Sequence, residues 1–252
     1  MRSEVDLGSF GDNVNAAVIG ASGGLGGAFV DILAGNPAIA RIAALSRSAT
    51  AFDDPRIRRI AIELEDEDSI ARAAGEAAEF AGNFHMVIVA TGILHDRAGL
   101  QPEKTWRALS GPAMETAFRL NAIGPALAAK HFLPLLAEDS KAVFAALSAR
   151  VGSIEDNRLG GWYAYRASKA ALNMLIRSFS IELARRNPRA LCVALHPGTV
   201  DTALSKPFQG GVPEGKLFSP RYAAGRLLGV LDSLSEEDSG RLFAWDGAPI
   251  PF

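Results

Sequence analysis

Ala16-Ala17-Val18-Ile19-Gly20-Ala21-Ser22-Gly23-Gly24-Leu25-Gly26 runs from an unbroken apolar stretch into a cluster of glycines. A short continuous apolar run bounded by glycine reads as a strand covered on both faces. The residues that follow, Gly26 to Leu33, read as a helix, and Asn36-Pro37 ends it. Strand, glycine turn and helix in that order place backbone N–H groups and the positive end of a helix dipole at one point. That arrangement suits the phosphates of a dinucleotide.

The same alternation continues along the chain. Ile42 to Leu45, Ile57 to Leu64, Met86 to Ala90, Ala142 to Leu147 and Leu191 to Leu195 are apolar strand candidates. Between and after them lie helical stretches at Ser69 to Phe80, Met114 to Leu136 with Pro125 inside, Tyr165 to Arg186, and Tyr222 to Leu234. Strands alternating with helices imply parallel strands joined by crossovers. The expected fold is α/β: a single doubly wound Rossmann-type domain over residues 15–252, with a central parallel sheet and helices on both faces. A polar tail over residues 1–14 precedes it.

The bulk properties agree. The chain has 252 residues, 48% hydrophobic and 21% charged, which suits one folded domain. A net charge of -2 and a pI near 6.1 give no reason to expect nucleic acid or a membrane surface as partner. No apolar run is long enough to span a bilayer, and the first residues lack a signal-peptide core, so a cytoplasmic protein is expected. Cys192 is the single cysteine and, between Leu191 and Val193, reads as a core residue. His85, His95, His131 and His196 show no metal-ligand spacing, so no metal is expected.

Two further stretches bear on chemistry. At the end of the second strand candidate stand Ser46 and Arg47, where dinucleotide folds that bind NAD(H) place an acid for the ribose hydroxyls. A neutral donor and a guanidinium favour a 2′-phosphate instead. NADP(H) is therefore the expected cofactor, with NAD(H) left open. In Tyr165-Arg166-Ala167-Ser168-Lys169 a phenol and an ammonium sit at i and i+4, on one helix face. A nearby cation stabilises a phenolate, which fits a tyrosine that exchanges a proton with a carbonyl or alcohol oxygen.

Taken together, the G-x3-G-x-G spacing of Gly20, Gly24 and Gly26 and the Tyr165-x3-Lys169 helix resemble the short-chain dehydrogenase/reductase family. Ser148-Ala149-Arg150-Val151-Gly152-Ser153-Ile154 and Gly160-Gly161-Trp162-Tyr163-Ala164-Tyr165 resemble the branch that contains C-factor and the Sniffer-type carbonyl reductases. The resemblance implies that Tyr165, Lys169 and Asn121 are catalytic, with Asn121 kinking a helix and holding a water linked to the lysine. It implies cofactor contacts from Gly20, Ser22, Gly24, Leu25 and Gly26, from Ser46 and Arg47, and from Glu63 and Leu64 beside an adenine. Ala90, Thr91 and Gly92 would pass close to the cofactor. Tyr165 and Lys169 would reach its nicotinamide ribose, and Pro197, Gly198, Val200 and Thr202 its carboxamide. A homodimer or homotetramer is implied too.

The family's catalytic serine usually stands where this chain has Ala149. Ser148 lies one residue early and is chosen for the role, with Ser153 and neither left open. Residues Ala203 to Phe218 form the expected substrate loop, apolar enough to cover a small carbonyl or alcohol compound. The function expected is hydride transfer between NADP(H) and such a substrate. The alternative is a nucleotide-binding signalling or regulatory protein of the same fold with weak or no turnover.

Overall fold

The structure, a computed structural model, describes residues 5–47 and 52–252. The strands are β1 (Val14–Ile19), β2 (Ile39–Ser46), β3 (Ile57–Ala61), β4 (Met86–Val89), β5 (Ala142–Leu147), β6 (Ala190–His196), β7 (Thr199–Val200), β8 (Leu217–Phe218), β9 (Leu242–Ala244) and β10 (Pro249–Ile250). The α-helices are α1 (Gly24–Ala34), α2 (Glu67–Ala81), α3 (Gly111–Phe118), α4 (Gly124–Phe132), α5 (Tyr163–Arg186) and α6 (Pro220–Ser233).

Eight strands form one sheet in the order β10-β9-β6-β5-β4-β1-β2-β3. All neighbours pair in parallel except β10, which runs antiparallel to β9. The chain therefore winds outward from β1 to β3, then returns to β4 on the other side of β1. That reversal opens a crevice at the carboxyl ends of β1 and β4, the place where doubly wound sheets take their ligands.

Alternate residues of each strand face opposite layers. Val14, Ala16 and Val18 join Phe29, Val30 and Leu33 of α1 and Leu227, Leu228 and Leu231 of α6 in one core. Ala17 and Ile19 join Ile70 of α2, Phe132 of α4, and Leu172 and Ile176 of α5 in the other. Helices cover both faces, as the unbroken apolar strands require. Truncating a fully buried aromatic such as Phe29 or Phe132 in layers this closed costs about 3–5 kcal/mol.

Local chemistry sets the helix ends. Asp66 accepts the Asp68 N–H at the start of α2, and Ser219 accepts the Tyr222 N–H ahead of Pro220 in α6. Cys192 is fully buried in β6, as its neighbours implied.

Two expectations need correction. The stretch Met114 to Leu136 is not one helix: α3 and α4 are separated by a π-helical turn, Arg119–Ile123, and Leu133–Leu135 is a 3-10 turn. Pro125 cannot donate to the Asn121 carbonyl, and its ring crowds that carbonyl, so the ladder widens there. The third apolar run ends as strand at Ala61, not Leu64. Within the polar tail, Leu7 and Phe10 are buried in the core. The sheet also continues past α6 through β9 and β10, whose short runs carried no clear periodicity.

Candidate active site

Strand register lines up the expected site residues along one edge of the sheet. Ile19 pairs with Leu45 and Val89, Ser46 with Ala61, Val89 with Ala146, and Leu147 with Leu195. The residues just past those pairs include Gly20, Arg47, Ala90 and Ser148, with Pro197 two past Leu195 and Glu63 and Leu64 two or three past Ala61. The carboxyl-end crevice therefore receives the expected residues from β1 through β6.

The glycine turn is built for close approach. Gly20 has φ 93, and both its N–H and that of Ala21 donate to the Leu45 carbonyl, at 2.8 and 3.0 Å. A Cβ on Gly26 would stand 2.1 Å from the Gly20 oxygen, so no side chain fits there. A Cβ on Gly24 would meet Thr202 Cγ2 at 2.9 Å, which brings the loop after β6 against the head of α1. No side chain caps α1, and its first N–H groups face the crevice mouth. Ser22 is exposed beside them, and Leu25 is buried beneath. Across the crevice, the Thr91 hydroxyl oxygen is buried without a hydrogen-bond partner among the described residues. A cradle that excludes Cβ atoms, open helix N–H groups and an unsatisfied hydroxyl fit a bound dinucleotide.

At the second strand Ser46 is buried and Arg47 exposed. Glu63 is half-buried, and its N–H donates to Ser69 Oγ. Leu64 is buried against Gly124.

The phenol and the ammonium lie on one face of α5. Lys169 is 3% exposed, and its Nζ donates to the Leu147 carbonyl at 2.8 Å. That Nζ stands 5.9 Å from the Tyr165 ring centroid. Burial holds the Lys169 ammonium down to about 7 and pushes the Tyr165 phenol up to about 12. Both shifts disfavour the charged form, because neither group has lost water in exchange for an opposite charge.

Asn121 is fully buried in the π-helical turn. Its Oδ1 accepts the Ile93 N–H at 2.8 Å, and its Nδ2 donates to the Ile93 carbonyl and to Ser168 Oγ. A Cβ on Gly92 would lie 3.1 Å from Asn121 Oδ1 and 3.3 Å from Lys169 Nζ. Gly92, Asn121 and Lys169 therefore converge at the end of β4.

Ser148 is placed differently. It is buried, and its hydroxyl donates to Asn173 Oδ1 at 2.7 Å, one helical turn beyond Lys169. Asn173 Nδ2 in turn donates to the Gly152 carbonyl. Ser153 is buried and accepts the Asp156 N–H. His196, next to Ser148 in register, is pushed down to about 4 by burial, with Arg150 adding to the fall, so it is neutral near pH 7. Gly198 has φ 76 and sits against Phe218 and Trp245. Thr202 Oγ1 donates to the Val200 carbonyl at 3.5 Å.

Sequence reading missed an aromatic run beside Tyr165. Trp162 lies edge-on to Tyr165 at 6.3 Å, Phe208 of the substrate loop lies 5.2 Å from Trp162, and His95 lies 5.6 Å from Phe208. His95 Nε2 is also 3.1 Å from the Ala203 carbonyl. The Gly160-Gly161 pair before Trp162 signalled an unusual backbone there, since Trp162 itself has φ 52. The distant partners had no local signal.

Among the described residues no helix is long and apolar enough to cross a membrane, and no group of three or more His, Cys, Asp or Glu is arranged to hold a metal ion.

Comparison with known proteins follows the same line. C-signal of Myxococcus xanthus is 40% identical over 139 residues, 55% of this chain and 78% of that protein. The NADPH-bound carbonyl reductase from chicken fatty liver is 28% identical, covers 97% of both chains and superposes with a TM-score of 0.84. The carbonyl reductase Sniffer of D. melanogaster shares the fold at 24% identity, over 96% of this chain and 100% of that one, with a TM-score of 0.82. A family model described as short chain dehydrogenase matches residues 14–211, most of the chain, and with the site geometry above the chain belongs to the short-chain dehydrogenase family of oxidoreductases.

Proposed function

We propose that this protein transfers a hydride between NADP(H) and a small carbonyl or alcohol substrate, with Tyr165 as general acid/base. The observation that carries the reading is the buried Lys169 amino group beside the Tyr165 ring, at the end of β4 where Gly92 leaves no side chain. When bound, the nicotinamide supplies the hydride. Gly20, Ser22, Gly24, Leu25 and Gly26 would hold its pyrophosphate, and Arg47 with Ser46 the 2′-phosphate. Glu63 and Leu64 would flank the adenine. Ala90, Thr91 and Gly92 would line the ribose side, and Pro197, Gly198, Val200 and Thr202 the carboxamide.

A phenol near 12 is fully protonated at neutral pH, so the resting site is set to donate a proton. Tyr165 gives that proton to the substrate oxygen, and the Lys169 ammonium offsets the phenolate left behind. In the oxidative direction Tyr165 takes the proton back. Asn121 fixes the Ile93 backbone and, through Ser168, the helix that carries both groups. The Ser148 hydroxyl donates its hydrogen bond to Asn173 Oδ1, so toward any other group its oxygen can only accept. We assign it a supporting part, bracing the end of β5 against α5, while Tyr165 and Lys169 carry the proton chemistry. The half-buried Trp162 and Phe208 of the loop would cover an apolar substrate.

A panel of aldehydes and ketones with NADPH, followed by loss of reduced-nicotinamide absorbance, tests the reading. A second reading, a nucleotide-binding signalling protein with weak or no turnover, is favoured by the identity to C-signal and by Ala149 in the serine position. NADPH binding without turnover on any compound of the panel would support it. Ile123, Met174 and Ile181 are large apolar residues exposed near α4 and on α5, and we assign that surface to a homodimer or homotetramer contact. Sedimentation analysis of the purified chain tests that assignment.

A further inference from the structure

The head of α5, where Tyr165 is the third helical residue, has no side-chain cap from its own sequence. Its first N–H groups need acceptors from elsewhere. One comes from Glu103, in the segment after β4. Glu103 is 6% exposed, and its Oε2 accepts the Ala164 N–H at 3.2 Å. Its backbone carbonyl accepts the Trp162 N–H at 2.5 Å. Its other carboxylate oxygen, Oε1, is buried without a hydrogen-bond partner among the described residues.

The two bonds bracket a strained point. Trp162 adopts φ 52, a left-handed conformation that a large side chain rarely takes, directly after Gly160 and Gly161 with φ 62 and 67. Such a conformation persists only where its surroundings hold it. Here the Glu103 backbone holds Trp162, the residue before the helix, and the Glu103 carboxylate holds Ala164, the second residue within it. Tyr165 follows Ala164 directly, and its ring faces the Trp162 ring.

We propose that Glu103 is a positioning residue for the proton-donating Tyr165, clamping the head of α5 and the Trp162 ring in one geometry. The proposal rests on the reading of Tyr165 above. It also accounts for a burial that stability alone does not favour, since a carboxylate with one unsatisfied oxygen is costly to enclose. Carboxylate charge is not the essential feature. An acceptor oxygen at the right reach is.

The test uses Glu103→Ala, Glu103→Asp and Glu103→Gln in the full chain, with two readouts. The first is amide hydrogen exchange at residues 163–166 without cofactor. The second is kcat and KM for 4-nitrobenzaldehyde with NADPH, alongside NADPH affinity by fluorescence. Glu103→Gln keeps an amide oxygen for the Ala164 N–H and should stay close to wild type in both. Glu103→Asp is one methylene short and should lose protection at the head of α5. Its kcat should fall about tenfold or more, as for other small misplacements of a reacting group, with NADPH affinity unchanged. Glu103→Ala should match Glu103→Asp, and if it does not fold the Asp and Gln pair still decides. Wild-type protection and kcat in Glu103→Asp overturn the proposal, as does a Gln variant as impaired as the Asp variant. Absence of wild-type turnover on 4-nitrobenzaldehyde and on every other compound of the aldehyde and ketone panel, with exchange at residues 163–166 behaving as stated, refutes the Tyr165 reading and leaves the clamp.

Discussion

Lys169 Nζ donates to the Leu147 carbonyl at 2.8 Å from a side chain almost wholly withdrawn from water. One neutral acceptor does not replace the hydration of an ammonium, and so its pKa falls from 10.5 to about 7. Between those values the unfolded chain binds more protons than the folded one, so folding stability rises with pH across that window. The slope approaches about 1.4 kcal/mol per pH unit at most. Tyr165 acts oppositely and later: its pKa rises from 10.0 to about 12, which lowers stability only above pH 10. Urea unfolding at pH 7, 8 and 9 should show wild type gaining stability against Lys169→Met at each step. Parallel curves for the two proteins would refute the lowered pKa of Lys169.

Ser148 and Asn173 predict a separation between folding and chemistry. Ser148→Ala leaves the buried Asn173 Oδ1 without its donor, which costs about 1–3 kcal/mol of stability. Turnover per folded molecule should fall by no more than about threefold, because the Ser148 hydroxyl hydrogen is engaged by Asn173 and is not offered to a reacting atom. Unfolding curves and active-site-normalised kinetics check the two halves separately. A drop in kcat as large as that of a Tyr165 variant would restore Ser148 to the serine role.

Gly26→Ala should fold poorly or bind NADPH weakly. The added Cβ meets the Gly20 backbone oxygen at 2.1 Å, which cannot swing aside as a side chain could, so the turn at the head of α1 must open. Loss of at least about tenfold in NADPH affinity, about 1.4 kcal/mol, is expected by titration. Affinity equal to wild type would detach this turn from the cofactor.

Arg47→Asp should invert cofactor choice. It removes the guanidinium beside the expected 2′-phosphate and places an acid where a ribose diol would be read. The ratio of kcat/KM for NADPH over NADH should fall by at least about a hundredfold, of which one lost charge-assisted bond supplies roughly 1.5–3 kcal/mol. An unchanged ratio would put the phosphate elsewhere.

The sheet and most helices were legible in the sequence because both of their signals are local. Val18-Ile19-Gly20 and Met86 to Val89 announce buried strands by composition alone, and Tyr165 to Lys169 needs only helical spacing. What stayed hidden depends on residues far apart in sequence. The resemblance implied a kink at Asn121, but its form as a π-helical turn tied to the Ile93 backbone 28 residues away did not show. The Ser148 hydroxyl turns to Asn173, and the head of α5 is held by Glu103, over separations of 25 and 61 residues. Periodicity carries no information at that range. β9 and β10 escaped because strands of three and two residues are too short to show a period.

The proposed hydride transfer depends on the proton held by Tyr165. Tyr165→Phe keeps the ring, its contact with Trp162 and the fold, and removes only the hydroxyl. Single-turnover oxidation of NADPH with the carbonyl substrate that wild type turns over fastest is the direct measurement. The prediction is unchanged NADPH affinity with a rate at least about a hundredfold lower, the low end of the contribution of a general acid. A Tyr165→Phe protein that oxidises NADPH at the wild-type rate would contradict it.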